Sequence, residues 1–301
     1  MKTKLRAVAP KAAKAAKPKV LIYGSPGVGK TWGALDFKAC YFIDTEGGAN
    51  LPHYIAKLEA SGGVYLGPEH GSLSFDTVLE QVQGLATERH PYRTLVIDSI
   101  SKLFAVAIAQ EAERLSDAGK KNEFGADKKP AVGAMRRLVS WLTRLDMTVL
   151  LISHQKEEWA LNARGEREVV GHTFDAWDRL EYELHLCLQI FKTGESRHAR
   201  VRKSRLEGFP AGKTFPWSYE EFASRYGRDV IDGEVENVVL ATPEQLSELR
   251  RLLDVVKLPE GQAEKWLTAG NAASWEEMDG DKIEKCIAAL KAKLTVTEEA
   301  A

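Results

Sequence analysis

The residues whose types and spacing point most directly to chemistry form a phosphate-binding pattern near the start of the chain. Between a short apolar run at 19–23 and a stretch at 31–37 that can open a helix, eight residues match the pattern GxxxxGK[ST]. In this pattern backbone N–H groups of a glycine turn surround phosphate oxygens, the lysine reaches the β- and γ-phosphates, and the hydroxyl takes one Mg²⁺ position. We therefore predict a nucleotide site with ATP and Mg²⁺ as its ligands. Its eight residues are Gly24, Ser25, Pro26, Gly27, Val28, Gly29, Lys30 and Thr31.

An acidic residue at the end of another buried strand supplies the second half of such a site. The run TLVIDS at 94–99 is apolar and β-branched up to its aspartate. Because Mg²⁺ needs hard oxygen ligands opposite the phosphates, we predict that Asp98 is the carboxylate on the metal side. The alternative is an aspartate that only caps the following helix, which is common in α/β proteins.

Strand and helix patterns alternate through the middle of the chain, and this alternation predicts how the site residues are positioned. Strands are predicted at 19–23, 40–44, 94–98 and 147–153, and helices at 31–37, 51–60, 75–88, 100–115 and 130–146. Such alternation is typical of an α/β fold with a mostly parallel sheet and helices on both faces. The polar segments 116–129 and 155–171 are predicted to be loops on one side of that sheet.

Charge is distributed unevenly along a chain whose formal net charge is only −1. The first 19 residues contain seven Lys or Arg and no acid, whereas 19 acidic and 11 basic residues follow from Leu206 onward. We expect residues 1–18 to be a basic disordered tail that attracts polyanions, because Ala, Lys and Pro cannot build a core there. The N-terminal part of the chain is therefore basic, and the C-terminal part is acidic.

The three cysteines indicate neither a disulfide framework nor a zinc site. Cys40, Cys187 and Cys286 lie far apart, without a CxxC pair or a histidine at metal-ligand spacing. No stretch approaches the roughly 18 consecutive apolar residues of a membrane helix, and the first residues lack an apolar signal core. We therefore expect a cytoplasmic protein, in the bacterial host cytoplasm if it is encoded by a phage, with no membrane partner.

The segment YFIDTEGG at 41–48 distinguishes this chain from most proteins that use a phosphate loop. It resembles a strand-end segment of the RecA/RadA recombinase family. The resemblance implies that Glu46 polarises the water that attacks the γ-phosphate, for which a carboxylate must lie within hydrogen-bond reach of that water. Asp44 is then a structural residue or supports the magnesium site indirectly. The alternative is that Glu46 is a surface residue that follows a strand.

The segment LLISHQ at 150–155 resembles the recombinase strand whose terminal polar residue senses the γ-phosphate and signals to a DNA-binding loop. Recombinases commonly have Asn-Gln at that point, whereas this chain has Ser-His-Gln. The resemblance implies a sensing role for His154 or Gln155, and we favour His154. The alternative is a polar residue that merely ends the strand.

A third segment, RVRKSR at 200–205, resembles the Lys-x-Lys/Arg pair of the same family. The resemblance implies that Lys203 and Arg205 reach the nucleotide site of a neighbouring subunit, and hence that the protein is a homo-oligomer, either a filament or a ring. Cationic fingers of this kind accelerate phosphoryl transfer by roughly 10³ to 10⁵. The alternative is an exposed strand whose basic residues contact phosphate directly.

Over residues 19–230 the chain resembles a reduced RecA-like core, which is a three-layer αβα P-loop NTPase. It is most similar to phage-encoded AAA-type ATPases linked to single-strand annealing. The segments 116–129 and 155–171 then correspond to the two DNA-contacting loops of recombinases, which implies single-stranded DNA as a partner. Tyr54 lies near the position where the family stacks an aromatic ring on adenine, and a core tyrosine is the alternative. The basic and aromatic residues of the two loops are Lys120, Lys121, Lys128, Lys129, Lys156, Trp159, Arg164 and Arg167.

A small helical module is predicted at 240–294. Thr242, Pro243 and Glu244 have the order of an N-cap, a first-turn proline and a first-turn acid, and leucines follow at helical spacing. The pattern is consistent with contact to a protein partner or to a second copy of the chain. The acidity of the module argues against primary DNA contact.

Together these features predict a RecA-like ATPase that binds single-stranded DNA and assists phage recombination or annealing. A helicase loader or a KaiC-like ring motor would share the phosphate loop and the fingers. A small-molecule or nucleotide kinase would instead have an Arg-rich lid and act as a monomer, and the segment around Glu46 and the pair Lys203 and Arg205 disfavour it. A nucleotide-gated adaptor without hydrolysis is a further alternative.

Overall fold

The computed structural model describes residues 15–122 and 125–298 and arranges them around a large β-sheet. The strands are β1 (Lys19–Tyr23), β2 (Cys40–Asp44), β3 (Val64–Leu66), β4 (Thr94–Asp98), β5 (Thr148–Ser153), β6 (Gln155–Leu161), β7 (Arg167–Phe174), β8 (Leu186–Thr193), β9 (Ser196–Ser204) and β10 (Thr214–Pro216). The helices are α1 (Lys30–Ala34), α2 (Pro52–Ala60), α3 (Phe75–Thr87), α4 (Ile100–Asp117), α5 (Lys128–Arg144), α6 (Leu180–Glu183), α7 (Tyr219–Tyr226), α8 (Arg228–Asp232), α9 (Pro243–Val255), α10 (Gln262–Gly270) and α11 (Gly280–Glu298).

The large sheet has the strand order β10-β9-β8-β1-β5-β4-β2-β3. Neighbouring strands from β8 to β3 are parallel, whereas β9 and β10 add to the edge in antiparallel pairs. This confirms the predicted α/β fold with a mostly parallel sheet. Since the carboxyl ends of parallel strands meet at one edge, the residues that follow β1, β2, β4 and β5 are brought to the same place.

Helices cover both faces of this sheet because alternate residues of each strand point to opposite sides. On one face Leu21 and Leu151 pack with α3, α4 and α5. On the other face Ile22 and Ile152 pack with α1, α2, α7 and α8. All four side chains are fully buried, so the chain has the expected three-layer core.

Three strands of the large sheet, β3, β8 and β10, are absent from the sequence-based prediction, and β9 was anticipated only through the segment 200–205. The apolar run LCLQIF at 186–191 is a signal that could have identified β8. β3 and β10 have only three residues each, which is too short for a periodic pattern. The predicted loop 116–129 is also shorter in the structure, because α4 extends to Asp117 and α5 begins at Lys128.

The segment 155–171, predicted to be a loop, instead forms the antiparallel β6–β7 hairpin. Asn162 closes its turn, since its Oδ1 accepts hydrogen bonds from the backbone N–H groups of Arg164 (2.9 Å) and Glu166 (3.0 Å). Gly165 has a φ of +79°, a left-handed conformation that favours glycine. The loop prediction is wrong because charged residues on both strands obscure the period-two pattern of a hairpin.

The C-terminal helices α9, α10 and α11 have a hydrophobic cluster of their own, which includes Leu252 and Leu290. As predicted, Thr242 caps α9, and Gln245 completes a capping box with it. The helices rest on α3 and α5 through polar contacts. The Glu277 carboxylate accepts hydrogen bonds from Gln83 (3.1 Å) and Arg137 (2.7 Å).

The beginning of the chain is described only from residue 15, so most of the tail predicted at 1–18 lies outside the described residues. Lys17 is buried, and its Nζ donates a hydrogen bond to the carbonyl oxygen of Glu234 (3.2 Å). The packed part of the chain therefore includes Lys17 as well as β1. Within the described ranges, no helix is both long enough and apolar enough to span a bilayer.

Candidate nucleotide-binding site

The phosphate loop, residues 24–31, connects β1 to α1. Gly24 must be glycine because a Cβ there would lie 2.2 Å from the carbonyl oxygen of Ile190 in the adjacent strand β8. Gly27 and Gly29 have φ values of +75° and +91°, which side chains disfavour. The loop is therefore a tight turn whose backbone lies close to the middle of β8.

Lys30 folds its side chain back over this loop. Its Nζ donates hydrogen bonds to the carbonyl oxygens of Gly24 (2.8 Å) and Ser25 (3.0 Å). Burial lowers the pKa of Lys30, and the negative charges of Asp98 and Glu46 partly oppose that shift. The ammonium group thus lies in the position from which it could neutralise a bound phosphate.

Asp98 ends β4 and contacts the first helix. Its carboxylate accepts a 2.5 Å hydrogen bond from the Thr31 hydroxyl. Burial raises the pKa of Asp98 to about 6, although the hydrogen bond from Thr31 lowers it. A hydroxyl and a carboxylate in contact are the oxygen donors that Mg²⁺ uses beside phosphates, so these two residues fit a magnesium ion.

Asp44 ends β2 and shapes the segment that follows it. Its buried carboxylate accepts hydrogen bonds from the backbone N–H groups of Glu46 (3.0 Å), Gly47 (2.9 Å) and Ala49 (2.8 Å). The Tyr65 hydroxyl donates a fourth, at 3.2 Å. Asp44 therefore holds the turn that presents Glu46, which agrees with the structural role considered for it.

Glu46 lies between two side chains that fix its carboxylate. Oε1 accepts a hydrogen bond from the Ser99 hydroxyl and is 2.7 Å from Nε2 of His154. Ser99 is buried and also caps α4 by accepting a hydrogen bond from the N–H of Lys102 (3.1 Å). Ser99 is a site residue that the sequence analysis missed, and its only signal was its N-cap position after Asp98.

His154 and Gln155 follow β5 and reach the same edge of the sheet. The backbone N–H of His154 donates to the Ser101 hydroxyl at 2.8 Å. The Gln155 side-chain amide donates to the Ser25 hydroxyl of the phosphate loop at 3.2 Å. The two candidate sensors thus have different partners: His154 contacts the carboxylate Glu46, and Gln155 contacts the loop.

A cavity of about 440 Å³ joins these residues. Tyr54 also lines it, next to Trp32, whose ring centroid is 5.7 Å away in an edge-to-face arrangement. A cavity of this size with convergent polar groups is typical of a small-molecule site. Its lining comprises Gly24, Pro26, Lys30, Thr31, Asp44, Glu46, Gly48, Ala49, Tyr54, Asp98, His154 and Gln155.

The family model of an AAA domain matches residues 16–212, which is more than half of the chain. The chain belongs to this AAA family. The matched range contains the phosphate loop, Glu46, Asp98, His154 and the strands of the large sheet up to β9. The chain therefore contains an ATP-binding P-loop domain of the AAA-type ATPases. No curated protein matches the chain.

Within the described part of this AAA domain, no group of three or more His, Cys, Asp or Glu side chains could hold a metal ion. A Mg²⁺ ion beside phosphates needs few protein ligands. Mg²⁺ commonly keeps several waters and takes further oxygens from phosphates. Thr31 and Asp98 are the residues that would hold it.

Lys203 and Arg205 lie away from the cavity of their own AAA domain. Lys203 pairs with Cys187 near the start of β8, and the backbone N–H of Arg205 donates to the carbonyl oxygen of His185 (2.8 Å), just before β8 begins. The two residues therefore lie toward the amino ends of the parallel strands. The Nζ of Lys203 donates to the carbonyl oxygen of Leu184. Arg205 donates to the carbonyl oxygen of Tyr182 at 2.5 Å. The structure therefore does not bring these two residues to the phosphate loop of the same chain.

Proposed function

We propose that the protein hydrolyses ATP at this site and couples ATP binding to the binding of single-stranded DNA in recombination or annealing. The proposal rests on Gln155, because its side chain contacts the phosphate loop and its backbone begins the β6–β7 hairpin. One residue thus belongs both to the nucleotide cavity and to the element for which we propose DNA contact. The resemblance to RecA/RadA recombinases and to phage-encoded annealing proteins supports the DNA substrate.

In the proposed reaction, the Glu46 carboxylate polarises the O–H bond of a water molecule that attacks the γ-phosphorus. The bond from the γ-phosphorus to the β–γ bridging oxygen breaks, ADP leaves, and the proton of the water passes to the released phosphate. Glu46 suits this role because its side chain is about one-third exposed, whereas the buried Asp44 carboxylate accepts hydrogen bonds from three backbone N–H groups and from the Tyr65 hydroxyl. Ser99 and His154 would hold the carboxylate in one orientation. Lys30 would neutralise charge on the β- and γ-phosphates, and a Mg²⁺ ion held by Thr31 and Asp98 would supply further positive charge beside them.

The β6–β7 hairpin is fastened to the site at both of its ends. Gln155 fixes the first end, and at the second the backbone N–H of Asp175 donates to Ser153 Oγ (3.0 Å) and to the carbonyl oxygen of His154 (2.9 Å). Arg202 of β9 also forms a bidentate pair with Glu158 in the hairpin, at 2.7 and 3.0 Å. A shift of His154 or Gln155 on nucleotide binding would therefore be transmitted to the hairpin.

One face of this hairpin has the composition of a surface that stacks bases. Three apolar side chains on this face are largely exposed: Trp159 (48%), Leu161 (70%) and Val169 (45%). Such a cluster of exposed apolar side chains commonly marks a binding surface. The Arg167 guanidinium lies 5.5 Å from the Trp159 ring centroid. Aromatic stacking combined with arginine is the usual means of binding single strands without sequence preference.

We also propose that the protein acts as a homo-oligomer in which Lys203 and Arg205 serve the site of a neighbouring subunit. Their distance from the cavity of their own chain supports this proposal, because within one subunit they have no access to the phosphates. A filament or a ring would each allow it. The acidic C-terminal helices would then be available for a further protein partner.

The coupling is tested by measuring the affinity for a fluorescent oligo(dT) with and without a non-hydrolysable ATP analogue. We expect the analogue to strengthen binding by about tenfold, which is about 1.4 kcal/mol of coupling. Affinity should also fall steeply with salt, because phosphate contacts release counterions. Equal affinity in the two conditions would contradict the proposed coupling.

Two matched variants distinguish whether Gln155 or His154 transmits nucleotide binding to the hairpin. Gln155→Ala should keep the nucleotide-free affinity for oligo(dT) and lose its stimulation if Gln155 is the sensor. His154→Ala should do so if His154 is the sensor. If both variants retain full stimulation, the coupling does not pass through the carboxyl end of β5.

A further inference from the structure

The start of β9 lies beside the phosphate loop. Arg197 pairs with Lys192 of β8, beyond the point where β1 has ended. The close approach of Gly24 to Ile190 places this extension of β8 directly against the loop. Residues at the start of β9 are therefore neighbours of the nucleotide site within the same chain.

The Arg197 side chain lies on Gly29 of the loop. A Cβ built on Gly29 would be 2.3 Å from Nε and 2.5 Å from Cδ of Arg197, so only glycine leaves room for this contact. The position is held from the backbone, because the N–H of Trp217 donates to the carbonyl oxygen of Arg197 at 2.9 Å. The Trp217 indole packs in turn on Gly33 of α1.

The guanidinium of Arg197 has no protein partner in the described part of the chain. Its Nε is buried and makes no hydrogen bond, and no carboxylate forms an ion pair with it. A buried donor of a charged group without an acceptor destabilises the folded protein. Beside a loop built to surround phosphate, a bound anion is the natural acceptor.

We infer that Arg197 binds the α-phosphate of the nucleotide held by its own chain. The cavity contains the groups proposed to act on the γ-phosphate, namely Lys30, Glu46 and Asp98, and Arg197 does not line it. The Arg197 side chain lies instead against Gly29, on the side of the phosphate loop outside this cavity. The planar guanidinium matches two phosphate oxygens at once. The inference rests on the ATP binding of the proposed function and is independent of the DNA coupling.

The test compares Arg197→Ala and Arg197→Lys with Arg200→Ala, a control on the same strand. Arg200 is exposed and lies over Phe191 at 5.3 Å from its ring centroid. Titrations with ATP and with ADP should show that Arg197→Ala weakens both by the same factor. The expected factor is about tenfold, the lower end for a hydrogen bond to a charged group. Arg197→Lys should recover part of the loss, and Arg200→Ala should bind normally.

Thermal unfolding distinguishes nucleotide binding from a packing role. Without nucleotide, Arg197→Ala should melt no lower than the wild type, because it removes an unpaired charge. At an ADP concentration that saturates the wild type, ADP should raise the melting temperature of Arg197→Ala by less than it raises that of the wild type. A lower melting temperature without nucleotide, together with unchanged binding, would identify Arg197 as a packing residue.

Two other results would overturn the inference. Wild-type affinity of Arg197→Ala for ADP would exclude an α-phosphate contact. Selective loss of ATP affinity would place the guanidinium at the γ-phosphate instead. Failure of the DNA coupling is a separate result, since it would appear in oligo(dT) binding while the effect of Arg197→Ala on ADP affinity persists.

Discussion

At the scale of single residues, the three carboxylates at the edge of the sheet differ because their partners differ. Asp44 is buried and bonded to backbone N–H groups, so it fixes a turn. Asp98 faces the Thr31 hydroxyl, and burial raises its pKa to about 6. Glu46 is held by side chains alone and remains partly exposed to the cavity. Of the three, Glu46 is the carboxylate for which we propose contact with the attacking water.

Two substitutions separate binding from hydrolysis. Lys30→Ala should weaken ATP binding sharply and remove turnover, because the ammonium group over the loop is lost. Glu46→Gln should retain ATP binding and lose turnover by roughly 10²- to 10⁴-fold, the range for a general base. Isothermal titration and a phosphate-release assay measure the two effects. Wild-type turnover by Glu46→Gln would remove the main support for its catalytic role.

Lys19 should make stability depend on pH. Its Nζ is buried and donates to the carbonyl oxygens of Leu145 (2.6 Å) and Met147 (2.5 Å). Burial lowers its pKa to about 7, although Asp146 opposes the shift. Between this value and the unfolded value of about 10.4, the unfolded chain binds more protons. Stability contributed by this group should therefore rise with pH across that window, by at most about 1.4 kcal/mol per unit.

The measurement is urea unfolding of the wild type and of Lys19→Met between about pH 7.5 and 9. Lys19→Met cannot titrate, so the difference between the two free energies of unfolding isolates this side chain from the buried cysteines and tyrosines. We expect the stability of the wild type relative to the variant to increase with pH. If the free energies of unfolding of the two proteins change in parallel with pH, Lys19 titrates normally in the folded protein.

At the scale of elements, the sequence predicts the site best where chemistry follows a buried strand. The phosphate loop, Glu46 and Asp98 each follow a parallel strand, and the carboxyl ends of such strands meet at one edge. The β6–β7 hairpin was not predictable in the same way, because Glu157 and Glu158 interrupt its apolar pattern. The contact of Ser99 with Glu46 and that of Arg197 with the phosphate loop were missed because they depend on which segments lie opposite each other in the fold.

The hairpin should contribute to DNA binding through Trp159. Trp159→Ala should weaken oligo(dT) binding by about 1–3 kcal/mol if one base stacks on the ring. Turnover of ATP without DNA should remain unchanged, since the ring lies outside the nucleotide cavity. Tyr182→Ala is the matched control, because Tyr182 is 62% exposed on α6 and outside the hairpin. Equal losses in both variants would assign the effect to general surface change.

At the scale of the whole molecule, the arrangement separates the nucleotide cavity from two other surfaces. The C-terminal helices rest on α3 and α5 through Glu277 and through the ion pair of Arg144 with Asp279 (2.6 Å). Lys203 and Arg205 lie toward the opposite end of the sheet from the phosphate loop. A catalytic contribution from this pair therefore requires a second subunit.

Mixing two inactive proteins tests the shared site. Lys30→Ala lacks a functional phosphate loop, and the double variant Lys203→Ala/Arg205→Ala lacks fingers but keeps its loop. If the fingers act between subunits, mixed assemblies contain interfaces with a sound loop and sound fingers, so phosphate release should reappear. Specific activity of the wild type should also rise with protein concentration. Mixtures that co-assemble and remain inactive would exclude a shared site.

The most direct test of the account is ATP turnover with and without oligo(dT), because the central claim joins hydrolysis at Glu46 to DNA contact at the hairpin. Saturating oligo(dT) should raise wild-type turnover by about tenfold or more, whereas Glu46→Gln should stay inactive in both conditions. If wild-type turnover is the same with and without bound oligo(dT), the proposed coupling between the two elements is wrong.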